Sequence, residues 1–137
     1  MIDRFVDTFV DTSALITLLD ADDPRHDAVG AALRSMAGVR LVAHAYVIAE
    51  TIAVARRRLG VPGVRALIDG LLPVLETVPV TAEQHATALA RYRTSLPSAT
   101  SFVDQVSFEV MRDLDLRRAL ALDADFAALG VEMLPAD

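Results

Sequence analysis

Short apolar runs alternate along this chain with longer segments in which apolar residues recur at helical spacing. The apolar runs predict five strands, at residues 5–10, 40–43, 74–78, 118–122 and 131–134. The segments between them predict helices at 13–19, 25–36, 45–59, 62–72, 81–94 and 102–114, and a short turn or helix at 123–129. Strands that alternate with helices indicate an α/β fold in which helices cover both faces of a parallel sheet.

Several helix boundaries have a recognisable chemistry. Gly60 is a suitable stop for the long helix, and Pro62 suits the first position of the next one. Residues 81–84 read Thr-Ala-Glu-Gln, which is a capping box, and Ser101 is a suitable N-cap for the helix that follows it. We therefore expect one domain over residues 1–137, a length at which a single core is normal.

Composition narrows the class of protein. Apolar residues make up 53% of the chain, which argues against disorder, yet no apolar run is long enough to cross a bilayer. Acidic residues within the first predicted strand argue against a secretory signal. The chain has no Cys, which excludes a disulfide framework, thiol catalysis and a Cys-ligated zinc site. A cytoplasmic protein is the simplest interpretation.

The cations of the chain are all arginine. Thirteen Arg and no Lys exclude a Walker-type NTPase and Schiff-base chemistry. The chain therefore also lacks the lysine that receiver domains and haloacid-dehalogenase-like phosphatases place near their acidic residues. The net charge of −6 argues weakly against a polyanionic partner, although metal ions and a local arginine patch can override the global sign.

Two acidic residues follow predicted strands directly. The tetrad Phe-Val-Asp-Thr occurs at 5–8 and at 9–12, but only the second copy leads into a helix, so Asp11 should end the first strand. Asp123 follows the apolar run 119–122 in the same way. The carboxyl ends of parallel strands form the crevice where α/β proteins bind ligands. The alternatives are that Asp11 is only a helix cap and that Asp125, rather than Asp123, is the principal acid there.

Glu50 lies within the long predicted helix. We expect the core stripe of that helix to consist of residues 48, 52, 55 and 59, with Glu50 on the opposite, partly covered face. A carboxylate on a covered face needs a partner, either a metal ion or an arginine such as Arg57.

Asp104 lies in the first turn of the helix that Ser101 begins. We expect residues 103, 106, 110 and 114 to face the core and residues 105, 109, 112 and 113 to lie outside, with Asp104 at the border. Asp104 either belongs to a site or only compensates the helix dipole.

These four acids have a common chemical requirement if they converge. Carboxylates brought together repel one another unless cations neutralise them, and oxygen ligands suit Mg²⁺ or Mn²⁺. Such a cluster can activate water and stabilise the in-line displacement of a phosphoryl group.

At this point the chain resembles a known family. The start Phe-Val-Asp-Thr-Ser-Ala-Leu, the Glu on a long helix, the Ser-x-x-Asp helix start and the ending Leu-Asp-Ala-Asp-Phe-x-x-Leu-Gly-Val resemble a PIN-domain ribonuclease of the VapC toxin type. The resemblance covers essentially the whole chain in the right order. It departs at Ala121, where many relatives have Thr or Ser.

The resemblance implies a fold, a site and partners. The fold is a PIN-like three-layer sandwich with a central parallel sheet of about five strands. Asp11, Glu50, Asp104 and Asp123 would hold Mg²⁺ or Mn²⁺ and activate the water that cuts RNA. An alternative is that Asp125 shares the role of Asp123. A small antitoxin protein and a second copy of the chain are the expected partners.

Other polar residues have both a structural and a functional interpretation. Thr12, Ser13 and Ser101 either cap helices or support the site by hydrogen bonding. His44 ends a strand, and a satisfied turn histidine is favoured over a site residue. The arginine triplet at 56–58 and the arginine pair at 117–118 either bind phosphates or are solvated. Tyr46 and Tyr92 are candidates for stacking on bases.

Two further functional interpretations remain. One is a catalytically silent PIN-like module that only binds protein, for which an acidic cluster is unnecessary. The other is an acid-cluster phosphatase of a different fold, which the missing Lys and the absence of an Asp-x-Asp after the first strand disfavour.

Overall fold

The computed structural model describes residues 6–97 and 100–136. Its five strands are β1 (Thr8–Val10), β2 (Leu41–His44), β3 (Glu76–Val78), β4 (Arg118–Leu120) and β5 (Glu132–Leu134). They form one parallel sheet in the order β3-β2-β1-β4-β5. The predicted α/β fold with a five-stranded parallel sheet is confirmed, although four strands are shorter than predicted and β2 is shifted by one residue. Phe5 and part of the predicted 96–100 loop lie outside the described residues.

The main helices are α1 (Thr12–Leu19), α2 (His26–Ser35), α3 (Ala45–Ala66), α4 (Ala82–Ser95) and α5 (Phe102–Asp113). Shorter turns occupy Leu67–Leu71, Leu72–Val74 and Ala124–Leu129. Gly60 has a φ of 71°, which kinks α3 where the sequence predicted one helix to end and another to begin. The capping box of Thr81 and Gln84 and the Ser101 cap are both present, as predicted.

Helices cover both faces of the sheet. α1 packs against α2 and α3, whereas α4 packs against α5. The chain moves from β1 through β2 to β3 in one direction and then returns to β4 and β5 on the other side. Right-handed crossovers therefore place α1, α2 and α3 on one face, and α4 and α5 on the other, in three layers.

The core is centred on β1, all three residues of which are buried. Phe9 stacks on Phe126 at 5.9 Å between ring centroids, and its ring centroid lies 5.8 Å from that of His44. Phe108 of α5 meets Phe126 edge to face, which ties the second helical layer to the same cluster. The buried central strand thus fixes the position of Asp11, the residue that follows it at the carboxyl edge of the sheet.

The predicted core face of α3 is correct at Ala55, which is buried, and at Ile48, which packs against the core, but it is wrong at Ile52. The buried residues of its first half are Val47, Thr51 and Ala55, whereas Ile52 is 36% exposed. Thr51 can be buried because its hydroxyl donates to the carbonyl oxygen of Val47 at 2.7 Å. A polar residue that satisfies itself within the helix is indistinguishable from a surface residue in a hydropathy pattern.

The predicted faces of α5 also need correction at two positions. Glu109 was expected outside but is buried, and its carboxylate pairs with Arg91 at 3.0 Å and with Arg112 at 3.6 Å. Leu114 was expected in the core but is 40% exposed, because α5 ends at Asp113. The arginine from α4 makes burial of Glu109 possible, and that tertiary neighbour is invisible in the local sequence.

No helix in the described part of the chain is both long enough and apolar enough to cross a membrane.

Candidate active site at the carboxyl edge of the sheet

Asp11 lies one residue beyond β1 and is the N-cap of α1. Its backbone N–H donates to the carbonyl oxygen of Leu120 at 3.0 Å, which continues the pairing of β1 with β4. The side chain is 4% exposed, and burial raises the pKa of Asp11 above its ordinary value. Hydrogen bonds from Ser13 and Thr12 oppose that rise, and the charge of Asp123 adds to it. Asp11 is therefore both a helix cap and an acid held in a poorly hydrated place.

Ser13 connects Asp11 to the neighbouring strand segment. Its hydroxyl donates to Asp11 Oδ2 at 2.7 Å and accepts the backbone N–H of Leu122 at 3.0 Å. Its own N–H also donates to Asp11 Oδ2, at 3.2 Å. Since Leu122 immediately precedes Asp123, one serine fixes the spacing between the two strand-end acids.

Asp123 caps the short helical turn after β4. Its Oδ1 accepts the backbone N–H of Asp125 at 2.9 Å. The carboxylate of Asp125 in turn accepts a hydrogen bond from the Thr100 hydroxyl at 2.9 Å. The side chains of Asp123 and Asp125 are both half-buried, so both stay candidates for the acid at this position. Thr100 gave no signal in the sequence because it lies in a loop.

Asp104 approaches the strand-end acids from α5. Its backbone N–H donates to Ser101 Oγ at 3.0 Å, which fixes the first turn of the helix. Burial is the main cause that raises the pKa of Asp104 to about 7, followed by the charges of Asp11 and Asp123 and a hydrogen bond with Asp123. Asp104 thus belongs to the cluster in addition to its place near the helix dipole.

These acids form a compact oxygen cluster. Asp104, Asp123 and Asp125 each offer a carboxylate oxygen, and these three atoms all lie within 4.8 Å of one another. Asp11 is close enough to raise the pKa of Asp104. Hard divalent cations prefer carboxylate oxygens. Such a cation would neutralise the repulsion between carboxylates that contributes to the raised pKa of Asp104. The donor set therefore fits a divalent metal ion.

Glu50 is not part of the three-residue oxygen cluster, although α3 brings it towards that edge. It is half-buried, and among the residues that the structure describes its carboxylate has no arginine partner, so the expected alternative of an ion pair with Arg57 is not observed. Glu50 follows Tyr46 by four residues, which places both on one face of α3. The ring of Tyr46 lies 6.1 Å from that of Phe102, two residues before Asp104. That face of α3 therefore borders the start of α5.

Comparison with known proteins identifies the family. The PIN-domain family model matches residues 8–132. Over 129 residues the chain is 35% identical to the 23S rRNA-specific endonuclease VapC20 of Mycobacterium tuberculosis, covering 93% of this chain and 98% of the relative. The chain belongs to the PIN-domain family and is a VapC-type endonuclease.

Solved structures agree with that assignment. The crystal structure of VapC20 from Mycobacterium tuberculosis, a sarcin–ricin loop cleaving toxin, matches with a TM-score of 0.81 at 31% identity over 91% of this chain and 96% of that one. FitAcB from Neisseria gonorrhoeae matches with a TM-score of 0.68 at 18% identity, over 92% of this chain and 95% of that one. VapBC2 from Rickettsia felis, bound to a promoter DNA fragment, matches with a TM-score of 0.70 at 13% identity, over 93% and 97%. The last two likenesses show the shared fold alone.

The hydroxyl groups around the acids of this VapC-type protein have distinct contacts. The N-cap of α1 is Asp11 itself, so Thr12 and Ser13 are not caps, contrary to one expectation. Thr12 turns towards α3, where its hydroxyl lies 3.4 Å from the carbonyl oxygen of Val47 and 3.2 Å from the hydroxyl of Thr51. Ser13 contacts Asp11 directly, and Ser101 caps α5 as predicted.

His44 has the structural role that the sequence favoured. Its Nδ1 accepts the backbone N–H groups of Tyr46 and Val47, so its Nε2–H donates to Ser107 Oγ at 2.9 Å. Burial lowers the pKa of His44 to about 4, so the ring is neutral at physiological pH. The hydrogen-bonded imidazole of His44 therefore fixes the end of β2 to the start of α3 and to α5.

The arginines considered for phosphate binding differ in accessibility. Arg118 is fully buried, and its guanidinium donates to Thr8 Oγ1 at 2.8 Å and to the carbonyl oxygen of Val6 at 2.9 Å. It lies at the amino end of β4, away from the acids, so both expectations for Arg118, a phosphate contact and a solvated side chain, are wrong. Arg117 is exposed and pairs with Asp115. The three arginines at 56–58 are exposed.

Proposed function

We propose that this VapC-type protein is a metal-dependent endoribonuclease in which Asp11, Glu50, Asp104 and Asp123 hold Mg²⁺ or Mn²⁺, with Asp125 as a further ligand. The observation that carries the proposal is the oxygen cluster of Asp104, Asp123 and Asp125, beside a buried Asp11, at the carboxyl edge of the sheet. A divalent cation bound there supplies Lewis-acid activation of water and charge stabilisation at the phosphodiester.

The residues of the chain contribute positioning and proton balance. Asp11 and Asp123 are fixed to adjacent strands, and Ser13 fixes them relative to each other. Asp104 shares a hydrogen bond with Asp123 and holds a proton until about pH 7. Because a carboxylate must lose its proton to act as a ligand, cation binding should release that proton and become tighter as the pH rises. Preorganised acids of this kind stabilise a transition state without first rearranging.

The proposal extends to the proteins with which this chain associates. We infer that the protein is the toxin of a toxin–antitoxin pair, that a small antitoxin protein neutralises it, and that it forms a homodimer. Large apolar side chains that are at least about half exposed support an association surface; they are Val61, Ile68, Val74, Leu89 and Leu96. Light scattering with and without co-expressed antitoxin tests this. A monodisperse monomer that is unaffected by the antitoxin would contradict it.

The substrate class rests on the likeness to VapC20. That relative is named for 23S rRNA, so 23S rRNA is the first substrate to test for this chain. The experiment incubates purified protein with total RNA, with Mg²⁺, with Mn²⁺ and with EDTA, and maps any new 5′ ends by primer extension. Cleavage that requires metal supports the proposal, whereas intact RNA under all three conditions would favour a silent protein-binding module.

A further inference from the structure

Two buried threonine hydroxyls meet where α1 packs against α3. The hydroxyl oxygens of Thr12 and Thr51 lie 3.2 Å apart. Both also lie near the carbonyl oxygen of Val47, at 3.4 Å from Thr12 and 2.7 Å from Thr51. Each threonine immediately follows an acid of the proposed site in sequence, Thr12 after Asp11 and Thr51 after Glu50. The hydroxyl pair therefore joins the two chain segments that carry these acids.

A hydroxyl at position 51 is not what helix stability or core packing favours. The neighbours of Thr51 on the buried face of α3 are Val47 and Ala55, both apolar and fully buried. Threonine is a weaker helix former than alanine, and a hydroxyl that bonds back to the residue four positions earlier slightly destabilises a helix. A buried hydroxyl also has to be paired, because burying it unpaired costs free energy. What the hydroxyl adds at this position is the contact between helices, to Thr12.

That contact restrains the rotation of α3, and the rotation of α3 decides where Glu50 lies. Among the residues that the structure describes, the carboxylate of Glu50 has no ion-pair partner that would hold it independently. A helix with its side chains has a radius of about 5–6 Å, so a rotation of about 10° moves a group at its surface by about 1 Å. A misplacement of about 1 Å can lower the rate of an enzyme about a hundredfold.

We propose that Thr51 is a positioning residue, which acts through the hydroxyl of Thr12 to set the position of Glu50 relative to Asp11. The acid that precedes α1 and the acid within α3 can then serve the same divalent cation. The proposal rests on the proposed function and adds to it a residue that acts only through its neighbours. Loss of the Thr51 hydroxyl should therefore weaken metal binding in a protein that remains folded.

Calorimetric titration with Mg²⁺ and with Mn²⁺ tests the role of the hydroxyl. Thr51→Val keeps the shape of the side chain and removes the hydroxyl, so it should bind the metal about tenfold more weakly, as loss of a group that supports a metal ligand does. Thr51→Ser keeps the hydroxyl and should bind the metal as the wild type does, although loss of a buried methyl group should lower its urea midpoint.

Thr17→Val is the matched control. Thr17 is a buried threonine of α1 whose hydroxyl donates to Asp23 rather than to α3, so its loss should leave the metal affinity unchanged. Circular dichroism checks that all variants are folded. Equal weakening in Thr51→Val and Thr51→Ser would assign the effect to packing and overturn the role of the hydroxyl.

A double-mutant cycle with Glu50→Gln shows whether the effect passes through Glu50. Glu50→Gln should itself weaken metal binding, and Thr51→Val should then cause no further loss in that background. The proposal is overturned if Thr51→Val or Glu50→Gln binds the metal as tightly as the wild type, or if Thr51→Val weakens binding equally in both backgrounds. The aspartate site survives each of these results. Absence of Mg²⁺ and Mn²⁺ binding by the wild type would overturn the proposed function together with this proposal.

Discussion

The hydroxyl of Ser13 lies 2.7 Å from Oδ2 of Asp11 and also accepts the N–H of Leu122 from the neighbouring strand segment. A small side chain on α1 thereby fixes two acids that are 112 residues apart in sequence, the separation between positions 11 and 123.

Ser13→Ala should loosen the acids without disrupting the sheet. The N–H of Leu122 loses its acceptor, which costs about 1 kcal/mol in a half-buried place. Asp11 also loses a hydrogen bond that lowers its pKa, so its pKa should rise further and its affinity for a cation should fall. Calorimetric Mg²⁺ titration measures this. Ser35→Ala, at an exposed serine of α2, is the control, and equal Mg²⁺ affinities in the two variants would contradict the role of Ser13.

Asp104→Asn is the sharpest test of the cluster. The substitution keeps the shape of the side chain and removes the charge that Asp11 and Asp123 repel, so the metal-free variant should be at least as stable as the wild type at pH 8. Metal-dependent RNA cleavage and growth inhibition should collapse. Asp27→Asn, at another acid in a first helical turn, should leave both unchanged. Equal cleavage rates in two well-folded proteins would show that the cluster is not the active site.

The stability of the metal-free protein should depend on the protonation of Asp104. Its pKa is about 7 when folded and 3.8 ordinarily, so between these values the folded chain holds a proton that the unfolded chain has lost. This contribution to stability is present below about pH 4 and is lost as the pH rises through 7. Urea unfolding in EDTA at several pH values should show the fall, and Mg²⁺ should stabilise the protein more at pH 8 than at pH 5. A fall of the same size in Asp104→Asn would assign it to another group.

Much of this site could be predicted from the sequence, for a physical reason. Asp11 and Asp123 each follow an apolar strand, and parallel strands bring their carboxyl ends to one edge, so local pattern and topology together determined their proximity. The sequence offered Asp125 as an acid that shares the role of Asp123, but the choice between one acid and both could not be made from it, because that choice depends on the path of the turn after β4. Arg118 could not be placed either, since its burial depends on hydroxyl and carbonyl groups from β1.

Glu50 is a proposed metal ligand that lies outside the oxygen cluster of Asp104, Asp123 and Asp125. Because its carboxylate has no arginine partner among the described residues, Glu50→Gln should leave the fold intact. If Glu50 is a metal ligand, metal-dependent cleavage should fall by at least about tenfold, as loss of a group supporting a metal normally does. Glu83→Gln, in the first turn of α4, is the matched control. Wild-type cleavage by Glu50→Gln would remove Glu50 from the site and leave the aspartates.

The titration of His44 should change the stability of the protein with pH in the direction opposite to that of Asp104. Its pKa is about 4 when folded and 6.5 ordinarily, so below pH 6.5 the unfolded chain takes up a proton that the folded chain excludes. The stability from neutral His44 is present above pH 6.5 and is lost as the pH falls to about 4, by roughly 3 kcal/mol at most. His44→Asn in the Asp104→Asn background keeps a helix cap and should abolish this loss, whereas His26→Asn should not. Urea unfolding of these variants at pH 4.5 and 7 measures the change in the free energy of unfolding between the two pH values.

The position of β4 has a consequence for when the protein can act. β4 pairs with β1, yet it is made only after residue 117, and Asp123 and Asp125 follow it. During synthesis, the segment that carries Asp11 lacks its neighbouring strand until residues 118–120 have been made, and contacts this distant in sequence form late. A chain that stops before residue 118 therefore lacks Asp123 and Asp125, two of the three acids of the oxygen cluster, and cannot assemble the proposed site.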